Sequence, residues 1–105
     1  MKTQVSILHH DYPSRVRGRV EEKLEGLTKY FDHVISVRAN LERQNEQHRV
    51  ELVVNVGRGS VLVADVLGET FSGVLSEAID RMSRQLKKHH DRLRVDRHRA
   101  DRHVG

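Results

Sequence analysis

Arginine and lysine side chains are concentrated in the last third of the chain, at spacings that can bring them to one side of a helix. Residues 81–92 contain Arg81, Arg84, Lys87, Lys88 and Arg92. Guanidinium groups bind phosphate through paired hydrogen bonds, and lysine ammonium groups bind it as mobile point charges. A polyanion such as a nucleic acid is therefore the first partner that these residues predict.

The charge of the chain is divided unevenly along its length. Residues 1–80 contain ten Lys and Arg against twelve Asp and Glu, a net charge of −2, whereas residues 81–105 contain nine against three, a net charge of +6. Such a basic end is typical of proteins that bind phosphates or an anionic surface. Cations near a helix C terminus also complement the helix dipole, so a structural role for them stays open at this point.

Apolar residues between these cations recur at steps of three and four, which predicts an amphipathic helix over residues 70–94. Its apolar stripe consists of Phe71, Val74, Leu75, Ala78, Ile79, Met82, Leu86 and Leu93. The cations lie mainly outside that stripe, on the side away from the expected core.

A second helix is predicted earlier in the chain, from a start at Asp11 to Pro13 with Pro13 at the first helical position. Its apolar stripe is Val16, Val20, Leu24, Leu27 and Phe31, and four cations lie off the stripe: Arg15, Arg17, Arg19 and Lys23. This helix would add a second basic surface.

Alternation of apolar and polar residues predicts four strands, over residues 2–8, 35–42, 50–56 and 61–67. Polar residues near Gln44 to Gln47 and the sequence Gly57-Arg58-Gly59 predict the turns between the last three. The order β-α-β-β-β-α predicts an α+β fold, a four-stranded sheet with both helices packed on one face, like a double-stranded-RNA-binding domain. Val61, Val63 and Leu67 would lie on the opposite face, as an interface patch or as tolerated surface residues.

Length and composition predict one domain over residues 1–94 and a charged, disordered tail over 95–105, where Asp96-Arg97-His98 and Asp101-Arg102-His103 repeat without an apolar face. The chain has no cysteine, and no apolar run reaches the length of a signal or membrane segment. A soluble, cytoplasmic protein is expected.

The sequence offers little support for an enzyme or a metal protein. It has no Gly-rich phosphate loop ahead of a helix and no grouping of Ser, His and Asp that suggests a triad. His9-His10 and His89-His90 are adjacent pairs, and adjacent side chains are expected to diverge instead of converging on one ion. We therefore predict no catalytic residues, no metal site and no cofactor.

Three segments resemble the ribosome hibernation promoting factor family, also called ribosome-associated inhibitor or protein Y. They are Tyr30-Phe31-Asp32, the Gly68-Glu69 lead into the last helix and, above all, the basic run from Ala78 to Leu93. The last helix differs at its start, where Thr70-Phe71-Ser72 replaces the Asp-x-Tyr of many members, although the Thr70 hydroxyl can still cap the helix. The chain is similar to the short form of the family, without a dimerisation domain.

This resemblance implies a translation inhibitor that lies in the mRNA and tRNA decoding channel of the small ribosomal subunit. The rRNA contacts that it implies are Arg17, Lys23, Arg81, Arg84, Lys88 and Arg92, with Arg15, Arg19 and Lys87 as possible additions. Two alternatives stay open: a stand-alone double-stranded RNA-binding module, and a homodimeric interaction protein that associates weakly through Val61, Val63 and Leu67.

Overall fold

The secondary-structure elements follow the predicted order. A computed structural model describes the backbone of residues 2–7, 12–31 and 33–104 and the side chains of residues 12–29, 31 and 33–91. The elements are β1 (Lys2–Ile7), α1 (Ser14–Tyr30), β2 (Ser36–Gln44), β3 (Gln47–Gly57), β4 (Ser60–Gly68) and α2 (Phe71–Val104). The α+β class and the order β-α-β-β-β-α are therefore confirmed.

The four strands form one sheet in the order β1-β2-β3-β4. Strands β2, β3 and β4 make an antiparallel meander, and β1 runs parallel to β2 at one edge. The parallel pair follows from the chain path, because the crossover through α1 returns the chain to the end of the sheet where β1 began. Strand β4 is the opposite edge and leads directly into α2.

Two tight turns fix the register of the meander, and both lie where the sequence predicts them. Gln44 pairs with Gln47, so the first turn is Asn45-Glu46, with Asn45 at φ 56°. Gly57 pairs with Ser60, so the second turn is Arg58-Gly59, and both of its residues have positive φ, at 55° and 76°. Positive φ at both central positions matches the twist of a hairpin, and glycine adopts it without steric cost.

The hydrophobic core lies between one face of the sheet and the two helices. The helices contribute Val20, Leu24 and Leu27 from α1 and Val74, Leu75, Ala78, Met82 and Leu86 from α2, all buried. Alternate residues of the strands complete it: Val37, Ala39, Leu41, Val50, Leu52, Val54, Val56, Ala64 and Val66. Both helices therefore pack on the same face, as predicted.

In the part of the chain that the structure describes, no helix is long and apolar enough to cross a bilayer.

The rings of Tyr12, His48 and Phe71 pack together and connect the starts of both helices to the β2–β3 hairpin. The Tyr12 hydroxyl lies 2.7 Å from His48 Nδ1, and the Tyr12 ring centroid lies 5.1 Å from that of Phe71. His48 also contacts Phe71 edge-on, with centroids 6.0 Å apart. These contacts join residues that are far apart in sequence, so the spacing of residues alone does not predict them.

The predicted position of Pro13 is wrong by one residue. Helix α1 begins at Ser14, and Pro13 is the N-cap, with φ −66° and an extended ψ of 156°. The fixed φ of proline suits either position, and the extended ψ places its carbonyl to accept the first bond, from Val16 N at 2.9 Å. Asp11 lies outside the described residues.

At the start of α2, the Thr70 hydroxyl accepts a bond from Gly73 N at 3.3 Å, so the predicted cap is confirmed.

Helix α2 does not end at Arg94 as predicted, and its backbone continues to Val104. The expected disorder of residues 95–105 stays a prediction. No glycine or proline interrupts residues 74–104, and Arg92 with Asp96 and Arg97 with Asp101 have the four-residue spacing of helical ion pairs. The backbone hydrogen bonds of a helix do not require an apolar face. The prediction ended the helix where the apolar periodicity ends, and so placed its end too early. The proposed domain boundary between residues 94 and 95 stays a prediction.

The face of the sheet opposite the helices is open. Val61, Val63 and Leu67 point to it with 53%, 47% and 51% of their surface exposed, as the alternation predicts. Ile35, which the sequence assigns to a half-buried strand, precedes β2 and is 54% exposed. It lies beyond the last row of strand pairs, which ends at Ser36.

Candidate nucleic-acid interface

The cations of α2 lie on its exposed surface. Arg81, Arg84, Lys87 and Lys88 are all exposed. In the apolar stripe, Phe71 and Ile79 are partly buried, and the other members up to Leu86 are buried: Val74, Leu75, Ala78, Met82 and Leu86. Arg92 belongs to the helix by its backbone, and its side chain lies outside the described residues. The predicted separation of a buried apolar stripe from an exposed basic surface is therefore confirmed for the described side chains.

The position of these cations within α2 argues against a role in stabilising the helix dipole. Because α2 extends from Phe71 to Val104, residues 81–88 lie in its middle and not in its last turn. The dipole acts on charges within the first and last turn only. Arg81 to Lys88 gain nothing from it, so the structural explanation left open by the sequence loses its main support.

Two of the predicted contacts are already engaged in ion pairs along the helix. Arg81 lies 3.0 Å from Glu77, and Arg84 lies 2.9 Å from Asp80, each pair four residues apart. The Arg84 side chain is 79% exposed and that of Asp80 is 57% exposed. Exposed pairs of this kind contribute at most about 1 kcal/mol, so a phosphate can displace the carboxylate at small cost. The four-residue spacing of Glu77 and Arg81, and of Asp80 and Arg84, indicates such pairs from the sequence.

The middle of α2 lies beside the free edge of the sheet formed by β4. Arg81, Gln85 and Lys88 follow one another at steps of four and three, which places them on one side of a helix. Gln85 Nε2 donates a hydrogen bond to the carbonyl of Val63 in β4 at 2.8 Å. This bond attaches the middle of α2 to β4, and Arg81 and Lys88 lie one turn to either side of it. Gln85 was not predicted to have any role.

Helix α1 carries the second set of predicted contacts, and all of them are exposed: Arg15, Arg17, Arg19 and Lys23. Its first turn contains no acidic residue. Cations at a helix N terminus oppose the dipole and are unfavourable for the helix itself, so the basic start of α1 is not explained by helix stability. Glu21, Glu22 and Glu25 are also exposed on α1, so the positive charge is concentrated in its N-terminal half.

The open face of the sheet has a different electrostatic character. Arg49 binds Asp65 through two hydrogen bonds, at 2.9 Å and 2.6 Å, and lies 3.4 Å from Glu42 and 3.8 Å from Glu51. The bonds from Arg49, together with its charge, lower the pKa of Asp65, and the same partner raises the pKa of Arg49. One guanidinium among three carboxylates leaves this part of the surface negative. A polyanion is therefore expected to approach from the helices and not from the open face.

The described side chains form no group of three or more His, Cys, Asp or Glu suited to holding a metal ion. Fold and surface together define the class of this protein: a small α+β domain whose sheet is covered on one face by two helices that carry exposed cations.

The chain belongs to the Sigma 54 modulation protein / S30EA ribosomal protein family, whose model matches residues 3–94. A ribosome hibernation promoting factor of Azotobacter vinelandii is 29% identical to it over 101 residues, which cover 94% of this chain and 92% of that protein. A ribosome hibernation promoting factor of Pseudomonas putida is 28% identical over 92 residues, which cover 88% and 89%. The family that the residues resemble is therefore confirmed.

Two solved structures share the fold. A ribosomal subunit interface protein from Coxiella burnetii superposes with a TM-score of 0.76 at 18% identity, and the match covers 87% of this chain and 99% of that one. The N-terminal domain of protein Y from Thermus thermophilus gives a TM-score of 0.66 at 22% identity, covering 83% and 93%. At these identities the likeness establishes the fold alone.

Proposed function

We propose that this protein is a ribosome hibernation factor that inhibits translation by binding the small ribosomal subunit through the exposed cations of α1 and α2. The names of its relatives support ribosome hibernation. The single observation that supports the binding mode is the set of exposed cations in the middle of α2, where the helix dipole gives no reason for them. In this proposal the two helices occupy the decoding channel, where mRNA and tRNA would otherwise lie.

The proposed contacts bind the RNA backbone and its shape. Arg81, Arg84 and Lys88 on α2 and Arg17 and Lys23 on α1 bind phosphates, with Arg92 as a further contact on α2, while Arg15, Arg19 and Lys87 add peripheral charge. The chain has only two Phe and two Tyr, and Phe31, Phe71 and Tyr12 pack against the core. Few rings are left to stack on bases, which favours recognition without sequence specificity.

Co-sedimentation with isolated ribosomal subunits tests the proposal directly. The protein is expected to sediment with vacant small subunits and to lower the yield of a cell-free translation reaction, because it competes with mRNA and tRNA. Large subunits at the same concentration serve as the control. If the protein does not bind vacant small subunits at low salt, the proposal is wrong.

A stand-alone double-stranded RNA-binding module is the second candidate, because such modules also pack two helices on one face of a three-stranded antiparallel meander. It predicts stronger binding to a free duplex of about 16 base pairs, the span of one such domain, than to small subunits. The proposed hibernation factor shows the opposite order. Weak self-association through Val61, Val63 and Leu67 is a separate possibility, and sedimentation equilibrium without RNA tests it.

Removing the carboxylate that pairs with Arg84 is expected to strengthen binding. In Asp80→Asn, Arg84 no longer has to break an ion pair before it binds a phosphate. The negative charge of Asp80, which would repel the RNA, is also removed. We expect affinity for small subunits to rise about two- to fivefold, the range set by the free energy of an exposed ion pair. Glu46→Gln in the β2–β3 turn makes the same change in net charge at an exposed site on the hairpin. Equal gains in both variants would show that only net charge matters.

A further inference from the structure

Three histidine rings meet where the segment after α1 contacts α2. His33 stacks on His89, with ring centroids 5.5 Å apart and planes inclined by 23°, and its centroid lies 5.6 Å from that of His90. Phe31 contacts His33 edge-on at 6.2 Å. His33 therefore contacts both rings of the adjacent pair from another element. We call His33, His89 and His90 the histidine cluster.

Charged residues lie on α2 and at the end of α1, the elements next to this cluster. On α2, Lys87 precedes His90 by three residues and is its neighbour on the helix surface, and Lys88 is adjacent in sequence to His89. The Oδ1 atom of Asp91 lies 3.8 Å from His90 Nδ1, and the His90 side chain is 46% exposed. From the other side, Lys29 occupies the last turn of α1, and the partially negative carboxyl end of that helix precedes Phe31. Asp32, next to His33 in sequence, lies outside the described residues.

The arrangement suits an anion more than a cation. Stacked rings present their faces to one another, so their nitrogen lone pairs do not converge on a metal ion. A protonated imidazole carries two N–H donors. Both ring nitrogens of His33 are buried, so the donors that can face an anion are those of His89 and His90, with the Lys87 ammonium group nearby on the helix. The cluster also lies on α2 directly after Lys87 and Lys88, next to the proposed RNA contacts.

We propose that the histidine cluster is a phosphate-binding site for the RNA backbone that takes up protons as the RNA binds. This proposal rests on the hibernation function proposed above and names a regulation of that same surface. Positive charges on rings less than 6 Å apart repel one another and the neighbouring lysines. A phosphate held at the cluster removes this repulsion and favours the imidazolium form. Binding and protonation are therefore linked, so affinity rises as pH falls through the range in which histidine titrates.

The test measures the affinity for a labelled single-stranded oligouridylate at constant ionic strength between about pH 7.5 and about pH 6.0, the range around the ordinary histidine pKa. Phosphodiesters stay ionised throughout this range, so a change in affinity reports on the protein. The uptake of about one proton is expected to make binding about fivefold tighter at the lower pH than at the higher. His90→Gln should bind with little dependence on pH. His90→Lys, which carries its charge at both pH values, should bind more tightly than the wild type at the higher pH and depend less on pH.

Lys87→Gln is the matched control, because it removes a neighbouring charge that does not titrate in this range. It should weaken binding at every pH, and its affinity should still rise as pH falls. Equal pH dependence in the wild type and in His90→Gln, His89→Gln and His33→Asn would overturn the proposal, as would a wild-type affinity that does not change with pH. Binding to small subunits over the same pH range separates the two proposals: a protein that binds them without any pH dependence retains its proposed function and lacks this site.

Discussion

Reversing the charge of Arg84 and Lys88 together is expected to weaken binding to the small ribosomal subunit about a hundredfold. A hydrogen bond to a charged group contributes about 1.5 kcal/mol at its lower limit, and two such bonds correspond to about two powers of ten in affinity. Both side chains are exposed and neither belongs to the core, so the variant should fold. The glutamate introduced in place of Arg84 would face Asp80, which costs only a few tenths of a kcal/mol. Sedimentation with subunits measures the affinity, and circular dichroism measures the fold.

The control for this variant is Arg38→Glu with Arg43→Glu, which changes the net charge equally at two exposed positions of β2. It should bind nearly as the wild type does. Salt dependence gives a second criterion: with about five to six phosphate contacts, log affinity should fall with log salt at a slope of about −4 to −5. Arg92→Gln should reduce that slope by somewhat under one, and the double reversal by more. An affinity that barely responds to salt would contradict phosphate binding by the helices.

Truncating Leu86 to alanine is expected to lower the free energy of unfolding by about 2 to 5 kcal/mol. Leu86 is fully buried in α2, in the core between the helices and the sheet. The substitution removes apolar contacts and leaves a cavity that the sheet and α1 can fill only in part. Since a small domain has a total stability of about 5 to 15 kcal/mol, this is a large share of it. Urea denaturation followed by circular dichroism measures the change.

Leu67→Ala is the matched control, because it makes the same substitution at a leucine that is 51% exposed on the open face. It should cost much less, since about half of that side chain already contacts water. The folded fraction of Leu86→Ala should keep the wild-type salt slope, because no charge is changed. A loss of binding at permissive temperature, with stability intact, would instead place Leu86 in the interface and contradict its assignment to the core.

Much of the fold could be predicted because its signals are local. Apolar residues at steps of three and four identify the buried stripes of both helices, such as Leu24 in α1 and Met82 in α2. Alternation identifies the strands, and the paired positive φ values of Arg58 and Gly59 follow from the sequence of a tight hairpin. Hydrophobic periodicity did not predict the end of α2, because it detects only helices with an apolar face. Residues 95–104 lack such a face, yet their backbone is helical.

The sequence predicted which residues belong to the candidate site, but not the contacts that position them relative to the sheet. The sequence placed Arg81, Arg84 and Lys88 off the apolar stripe, and their exposure agrees. It did not indicate that Gln85 bonds to the edge of β4, since that contact joins residues 22 positions apart.

By itself, then, the sequence determined the element order, the buried stripes, the exposed position of the cations and the family. All of these depend on the types and spacing of residues within one helix, strand or turn. The tertiary structure alone decided that Gln85 of α2 bonds to the edge strand β4, that the open face is negative around Arg49, and that His33 meets His89 and His90. These features require elements distant in the chain to pack together, and the packing geometry is set by the whole core and not by any one segment of sequence.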